Sequence, residues 1–339
     1  MNALIDAKDL FEADPGFLNT ASYGLPPRAA SQALDTALAQ WRRGSTDWST
    51  WDAATDRARA GFARLLDTTP DHVTISSTGA QLVSSIATAL PPGARVLVPD
   101  IEFTSNLFPW AQAATVETAP PERLADAIHP GLDAVAFSLV QSATGQVAAL
   151  TDIITAARAH DLLVVTDASQ AAGWLPFTTD GLDAVVCSAY KWLMAPRGAA
   201  FAYTSPRLRE RMRPLAANWY GTPGHAGYYG LPMTLSPDAA AFDLSPAWFC
   251  YVGAAPALDL INELGVPAIH AHNLALANRF RAGLGQPPGD SAIVTTPGAD
   301  AAKLQAAGVR AAVRAGNLRA SFHLYNTTDD VDRALEALA

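Results

Sequence analysis

Between residues 73 and 186, short apolar runs alternate with stretches of helical periodicity, and no other feature narrows the fold as much. Residues 73–76, 95–98, 135–140, 162–167 and 184–187 read as buried strands, because Val, Ile, Leu and Ala dominate them. Residues 82–90 and 151–160 repeat apolar side chains at helical spacing. Such alternation lays the strands into a mostly parallel, doubly wound α/β sheet covered by helices. No Gly-x-Gly-x-x-Gly follows a strand, so a dinucleotide-binding reading finds little support.

The flanks add helices and a smaller module. Residues 17–27 read as an extended stretch and turn, where Asn19, Ser22 and Tyr23 either line a pocket or form a plain loop. Residues 26–41 and 48–66 have helical periodicity, the first introduced by prolines. Residues 207–213 look like a charged, solvated helix, and 218–230 like a loop rich in Gly and aromatics. Ser245 and Pro246 read as the cap and first residue of a long helix running through Leu264. After a Pro/Gly break at 286–290, strands are expected at 292–296, 309–314 and 318–325, then a helix at 328–338. The expected division is residues 1–250 as an N-terminal segment and large domain, and 251–339 as a linking helix and small α+β domain.

Composition excludes several classes of function. Half of the 339 residues are hydrophobic and 16% are charged, as in a folded chain with substantial cores. With 23 Lys and Arg against 32 Asp and Glu, the net charge of −9 argues against nucleic acid or an anionic membrane as main partner. No apolar stretch reaches the ~18 residues of a membrane span. Residues 1–6 show no basic region leading into a hydrophobic one, so no signal peptide is visible and a cytoplasmic location is expected. Two cysteines, Cys187 and Cys250, make neither a disulfide framework nor a metal cluster. The histidines lack ligand spacing; His270 and His272 face different sides of a helix, and no metal is expected.

The chemistry concentrates at the ends of two strands. The run 184–187 delivers Ser188, Ala189, Tyr190 and then Lys191, over which Trp192, Leu193 and Met194 close. A lysine in apolar surroundings has a lowered pKa, and its neutral amine is the nucleophile that forms Schiff bases. Snorkelling to the surface is the commoner fate of a lone lysine. The strand 162–167 decides against it, because it ends in Asp167 at the edge where α/β sheets place ligands, with Gln170 three residues on. Asp167 alone would pass for a helix cap. An acid, a polar turn and then strand-Ser-x-x-Lys is what pyridoxal phosphate chemistry requires: a carboxylate for the ring nitrogen and an amine for the aldehyde. The small residues Ser77, Thr78, Gly79 and Ala80 precede a helix, where open N–H groups suit an anion or simply an ordinary cap. Phe103, just past a strand, either stacks on a flat ring or belongs to the core.

With these pieces in place, the chain resembles the class V aminotransferase and cysteine desulfurase family, which are fold type I pyridoxal 5′-phosphate (PLP) enzymes. The resemblance spans residues 17–335 and is most specific at 165–170 (Val-Thr-Asp-Ala-Ser-Gln), 188–192 (Ser-Ala-Tyr-Lys-Trp) and 318–327 (Leu-Arg-Ala-Ser-Phe-His-Leu-Tyr-Asn-Thr). It implies a large domain with a mostly parallel sheet of the seven-stranded type and a small α+β C-terminal domain. It also implies that Lys191 holds the cofactor and shuttles the α-proton, and that Asp167 pairs with the ring nitrogen. Gln170, with Ser142, would approach the ring hydroxyl, and Phe103 holds the ring-stacking position, which is His in desulfurases. Ser188, Tyr190 and the backbone of Thr78, Gly79 and Ala80 would hold the phosphate, joined by Ser245 of the partner subunit in a homodimer. Tyr190 stands where many relatives have His. Arg319 matches the arginine that takes the substrate carboxylate, although Arg310 and Arg314 are nearby rivals, and Asn19 and Tyr23 are further substrate-site candidates.

One departure narrows the activity. Desulfurases carry a nucleophilic cysteine shortly before the carboxylate arginine, whereas residues 313–319 are short and contain none. Cys187 and Cys250 fall on a strand and a helix, where they pack as small hydrophobes. The expectation is a PLP-dependent enzyme acting on an L-α-amino acid. Transamination comes first, β-elimination of a C–S bond close behind, and racemisation or epimerisation third. A silent PLP-binding protein is the non-enzyme alternative.

Overall fold

The structure is a computed structural model that describes residues 7–339; residues 1–6, where a signal peptide was sought, lie outside the described residues. In chain order the elements are α1 (Arg28–Arg43), α2 (Trp48–Leu65), β1 (Val73–Ser76), α3 (Gly79–Ala87), β2 (Arg95–Pro99), α4 (Thr104–Ala113), β3 (Thr115–Ala119), β4 (Ala134–Ser138), α5 (Leu150–Arg158), β5 (Leu163–Asp167), β6 (Ala184–Ser188) and β7 (Ala200–Thr204). There follow α6 (Pro206–Arg209), α7 (Trp248–Leu264), α8 (Val266–Gly283), β8 (Ile293–Thr296), α9 (Ala301–Ala306), β9 (Ala312–Arg314), β10 (Asn317–Ser321) and α10 (Thr328–Leu338).

Strands β1 to β7 form one seven-stranded sheet in the order β1-β7-β6-β5-β4-β2-β3. Only β7 runs against its neighbours β6 and β1; the pairings among β2 to β6 are parallel. Both faces are covered, which explains why the strands read as continuous apolar runs. Successive side chains go to opposite faces. Val185 and Cys187 of β6 enter one core with Phe62, Tyr251 and Leu258, while Ala184 and Val186 enter the other with Leu82, Ile86 and Trp110. The register pairs Ser138 with Asp167 and Asp167 with Val186, so the ends of β4, β5 and β6 open on one edge.

A second, antiparallel sheet has the order β8-β10-β9 and its own core, in which Leu18, Phe280, Val294, Leu318, Phe322 and Val331 pack together. The turn between β9 and β10 is Ala315-Gly316, with φ of 48° and 78°, the left-handed pair of a tight hairpin. The amino-terminal segment joins this sheet through the bridges Phe17–Arg310 and Asn19–Ser321.

Several elements differ from expectation. The strand expected at 318–325 stops at Ser321, because His323 N–H donates to Asn326 Oδ1 and the chain turns. The strand expected at 309–314 begins only at Ala312, and the helix expected at 207–213 is the short α6. Ser245 does not cap α7, which starts at Trp248 without a side-chain cap. The reason lies just upstream: Asp243 is drawn into a buried ion pair with Arg59 and Leu244 N–H bonds Ile75 O, which holds the chain extended alongside β1. Among the described residues no helix is long and apolar enough to cross a membrane.

Candidate active site

The end of β5 is fastened before any ligand is considered. Asp167 Oδ1 accepts from Ser169 N–H at 2.7 Å, and Ser169 Oγ accepts from Ser188 N–H at 2.8 Å, tying the exits of β5 and β6. Gln170 is buried; its Nε2 donates to Ala21 O at 2.9 Å and its Oε1 accepts from Trp192 Nε1 at 2.7 Å. One amide hydrogen of Gln170 is left for a further acceptor.

Lys191 sits in the loop after β6 and is 7% exposed. Burial pushes its ammonium below the ordinary lysine value; Asp167 opposes this and Arg319 adds to it. No described acid forms an ion pair with it. Its Nζ lies 5.5 Å from the Phe103 ring centre and 5.7 Å from that of Tyr190. Gly24 crosses behind the loop: its N–H donates to Tyr190 O at 2.9 Å, and a Cβ there would fall 2.0 Å from Lys191 O. Only glycine allows that approach.

The expected anion-binding residues gather at the start of α3. Thr78 caps the helix through Gln81 N–H. A Cβ on Gly79 would come within 2.9 Å of Ser188 Oγ, so the missing side chain lets the end of β6 meet the helix start, with Ala80 beside it. Tyr190 lies under the Arg197 guanidinium, 5.1 Å from its ring centre. Ser245 is exposed, and no hydrogen bond among the described residues joins it to this group.

Arg319, on β10, is 2% exposed. Its Nη1 donates to Ser142 O at 2.6 Å and its Nη2 to Ser22 Oγ at 2.8 Å, while its Nε is buried without a partner. Burial lowers its pKa to about 10, with the charge of Arg314 adding to the effect. Ser22 Oγ in turn donates to Asn19 Oδ1, which brings Asn19 to the guanidinium through one hydroxyl. Tyr23 leans on Phe17 with ring centres 5.1 Å apart and is 45% exposed, so the described contacts leave it at the margin.

Sequence reasoning missed Glu102, which is buried behind Phe103. It accepts from Phe103 N–H and Ser138 N–H, each at 2.7 Å, and from Ser138 Oγ at 2.5 Å. Burial raises its pKa, the Ser138 hydroxyl counters, and the charge of Asp167 adds to the rise. An acid directly before the stacking candidate was the available signal. Both thiols are unsuited to attack as thiolates, since burial raises the pKa of Cys187 and of Cys250.

This donor set fits a phosphorylated aldehyde on an aromatic ring: a buried amine, a carboxylate at a strand end, an aromatic face and a Gly-containing helix start. The comparisons agree. Isopenicillin N epimerase of Streptomyces clavuligerus is 26% identical, over 95% of this chain and 93% of its own. A kynureninase of Xanthomonas oryzae pv. oryzae is 27% identical, over 79% of this chain and 72% of its own. The fold matches that of C-DES, a cystine C–S lyase, in a lysine-to-alanine variant with glycine covalently linked to its PLP cofactor. That match has a TM-score of 0.85 at 19% identity and covers 98% of each chain. The profile of the family described as Aminotransferase class-V matches residues 28–306. The chain belongs to the class-V aminotransferase family, and its cofactor is pyridoxal 5′-phosphate.

Proposed function

We propose that this class-V enzyme binds an L-α-amino acid through Arg319, moves its α-proton with Lys191, and transaminates it. The supporting observation is the buried guanidinium of Arg319, which has no ion-pair partner among the described acids and stands near the buried amine of Lys191 closely enough to lower its pKa. Buried charge without a partner is costly, so a site that keeps such a guanidinium is built for an anionic ligand.

The cofactor, when bound, supplies an electrophilic aldehyde and a ring that draws electrons from the substrate. Lys191 would hold it and would accept and return the α-proton at Nζ; its lowered pKa favours the neutral amine that this requires. Asp167 would keep the ring nitrogen protonated. The remaining amide hydrogen of Gln170, with Ser142, would serve the ring hydroxyl, and Phe103 would cover the ring. Ser188, Tyr190 and the start of α3 at Thr78, Gly79 and Ala80 take the phosphate. The exposed Ser245 contributes from the partner subunit of a homodimer. Two free thiols suit a cytoplasmic enzyme.

Incubating the enzyme with a panel of L-amino acids tests the reading. Conversion of the cofactor to pyridoxamine phosphate supports transamination. Keto acid with a released leaving group would replace it with elimination, and an unchanged spectrum would favour a silent binder. Borohydride reduction and peptide mapping should place the pyridoxyl group on Lys191; labelling of Lys303 instead would refute the assignment. A second reading, epimerisation, is favoured by the near-complete overlap with an epimerase, and exchange of the α-proton with loss of optical rotation would establish it.

A further inference from the structure

Two guanidinium groups converge on one hydroxyl. Ser22 Oγ accepts from Arg319 Nη2 at 2.8 Å and from Arg314 Nη2 at 3.3 Å, while it donates to Asn19. Neither arginine has a carboxylate within ion-pair distance among the described residues. Three other arginines of this acidic chain show the matched arrangement: Arg59 meets Asp243, Arg207 meets Asp183 and Arg279 meets Asp332. A neutral hydroxyl cannot balance two positive charges, and the charge of Arg314 adds to burial in disfavouring the charged form of Arg319.

The second guanidinium is held in place. Arg314 pairs with Asn317 at the end of a hairpin whose turn is the two residues Ala315 and Gly316. Its Nη1 donates to Val313 O at 2.8 Å. The tight turn fixes the backbone register, and the bonds to Ser22 Oγ and Val313 O hold the exposed guanidinium beside the buried one.

We infer that Arg314 forms a second anion subsite, and that the substrate is an amino acid whose side chain carries its own acidic group. The inference rests on the reading of Arg319 as the α-carboxylate site. One carboxylate neutralises Arg319; the charge on Arg314 is left for a second carboxylate, or for a sulfinate or sulfonate of like shape. A planar fork meets such groups with two parallel hydrogen bonds.

The test uses the PLP-loaded enzyme and unreactive acids at fixed ionic strength: propionate against succinate and glutarate, by titration calorimetry. The wild type should bind one of the dicarboxylates about tenfold or more tightly than propionate, as expected for a close charge pair at a site edge. Arg314→Gln should erase that preference and leave propionate affinity within about threefold, and Arg314→Lys should retain part of it. Arg314 is exposed, so these variants should fold, and their near-UV dichroism checks that they do. Absence of a dicarboxylate preference in the wild type, or its persistence in Arg314→Gln, would overturn the inference. So would an equal loss for all three acids in that variant. The underlying reading fails differently: Arg319→Gln would then leave propionate binding unchanged.

Discussion

Two arginines are buried in this molecule, and they are treated in opposite ways. Arg59, on α2, sends Nη1 to Val73 O at 2.6 Å and meets Asp243 with both terminal nitrogens; the same carboxylate accepts from Ile75 N–H and Thr74 Oγ1. Although burial opposes its charge, Asp243 holds Arg59 above its ordinary pKa. Arg319 is likewise shielded from solvent but has no acid within ion-pair distance, leaves Nε unmatched, and is pulled down to about 10. A closed network of charges holds structure; an open one waits for a ligand. Arg59 joins α2, β1 and the stretch before α7, whereas Arg319 lies where β10, the amino-terminal segment and the Ser142 turn meet.

The largest effect should come from opening the closed pair. Arg59→Met strands the Asp243 carboxylate in the interior and should cost about 3–5 kcal/mol in urea unfolding. A loss below about 1 kcal/mol would show that the pair is solvated in solution and would remove the contrast.

The corresponding change at the open site should separate stability from binding. Arg319→Met removes an unpartnered charge, so the ligand-free protein should be as stable as the wild type or more so. Amino-acid affinity should fall by about 2–5 kcal/mol, and the matching decarboxylated amine should be affected much less. Equal losses for acid and amine, or unfolding comparable to that of Arg59→Met, would make Arg319 structural as well.

What the sequence revealed of these two sites follows the range of the interactions. Asp167, Gln170, Ser188 and Lys191 were legible because strand ends and short turns place them through local order. β1, β2, β4, β5 and β6 were legible because burial on both faces writes a continuous apolar run. β3 was missed because it is an edge strand with largely accessible residues, and β7 because Ala200 and Ala202 dilute its β signal. The Arg59–Asp243 pair joins residues 184 apart, and nothing in either neighbourhood announces the other. Gly24 matters only through its approach to Lys191 O, a contact no local pattern encodes. Ser245-Pro246 matched a helix start locally and failed because Asp243 and Leu244 are anchored to the sheet.

A buried histidine shows another solution, and it predicts a smaller, pH-dependent effect. His323 donates from Nε2 to Trp192 O at 3.0 Å, joining the small sheet to the lysine loop, with Nδ1 facing Asn273 Nδ2 at 3.4 Å. Burial lowers its pKa to about 3; the bond to Trp192 opposes this and His272 adds to it. Below the ordinary histidine value of about 6.5, the unfolded chain takes up a proton that the folded chain refuses until about 3. Stability should therefore fall through that window by about 1.4 kcal/mol per pH unit from this group alone. His323→Gln keeps a donor for Trp192 O and removes the titration. Its stability should decline less steeply from pH 6.5 to 5, with His272 contributing equally to both proteins. Identical slopes would mean that His323 is protonated in the folded state.

The smallest effect on the fold is expected at Ser245, and there its smallness is informative. An N-cap serine replaced by alanine costs about 1 kcal/mol. Ser245 caps nothing in this chain, because α7 begins at Trp248 and Asp243 supplies the anchoring. Ser245→Ala should therefore change the unfolding free energy by less than about 0.5 kcal/mol, as other exposed substitutions do. If the serine reaches the phosphate of a partner subunit, the same variant should release PLP more readily on dialysis while sedimenting as a dimer. A cost near 1 kcal/mol with PLP retention unaltered would restore the capping role. A monomer with full PLP occupancy would remove the partner from the site, leaving phosphate binding to Ser188 and the start of α3 within one chain.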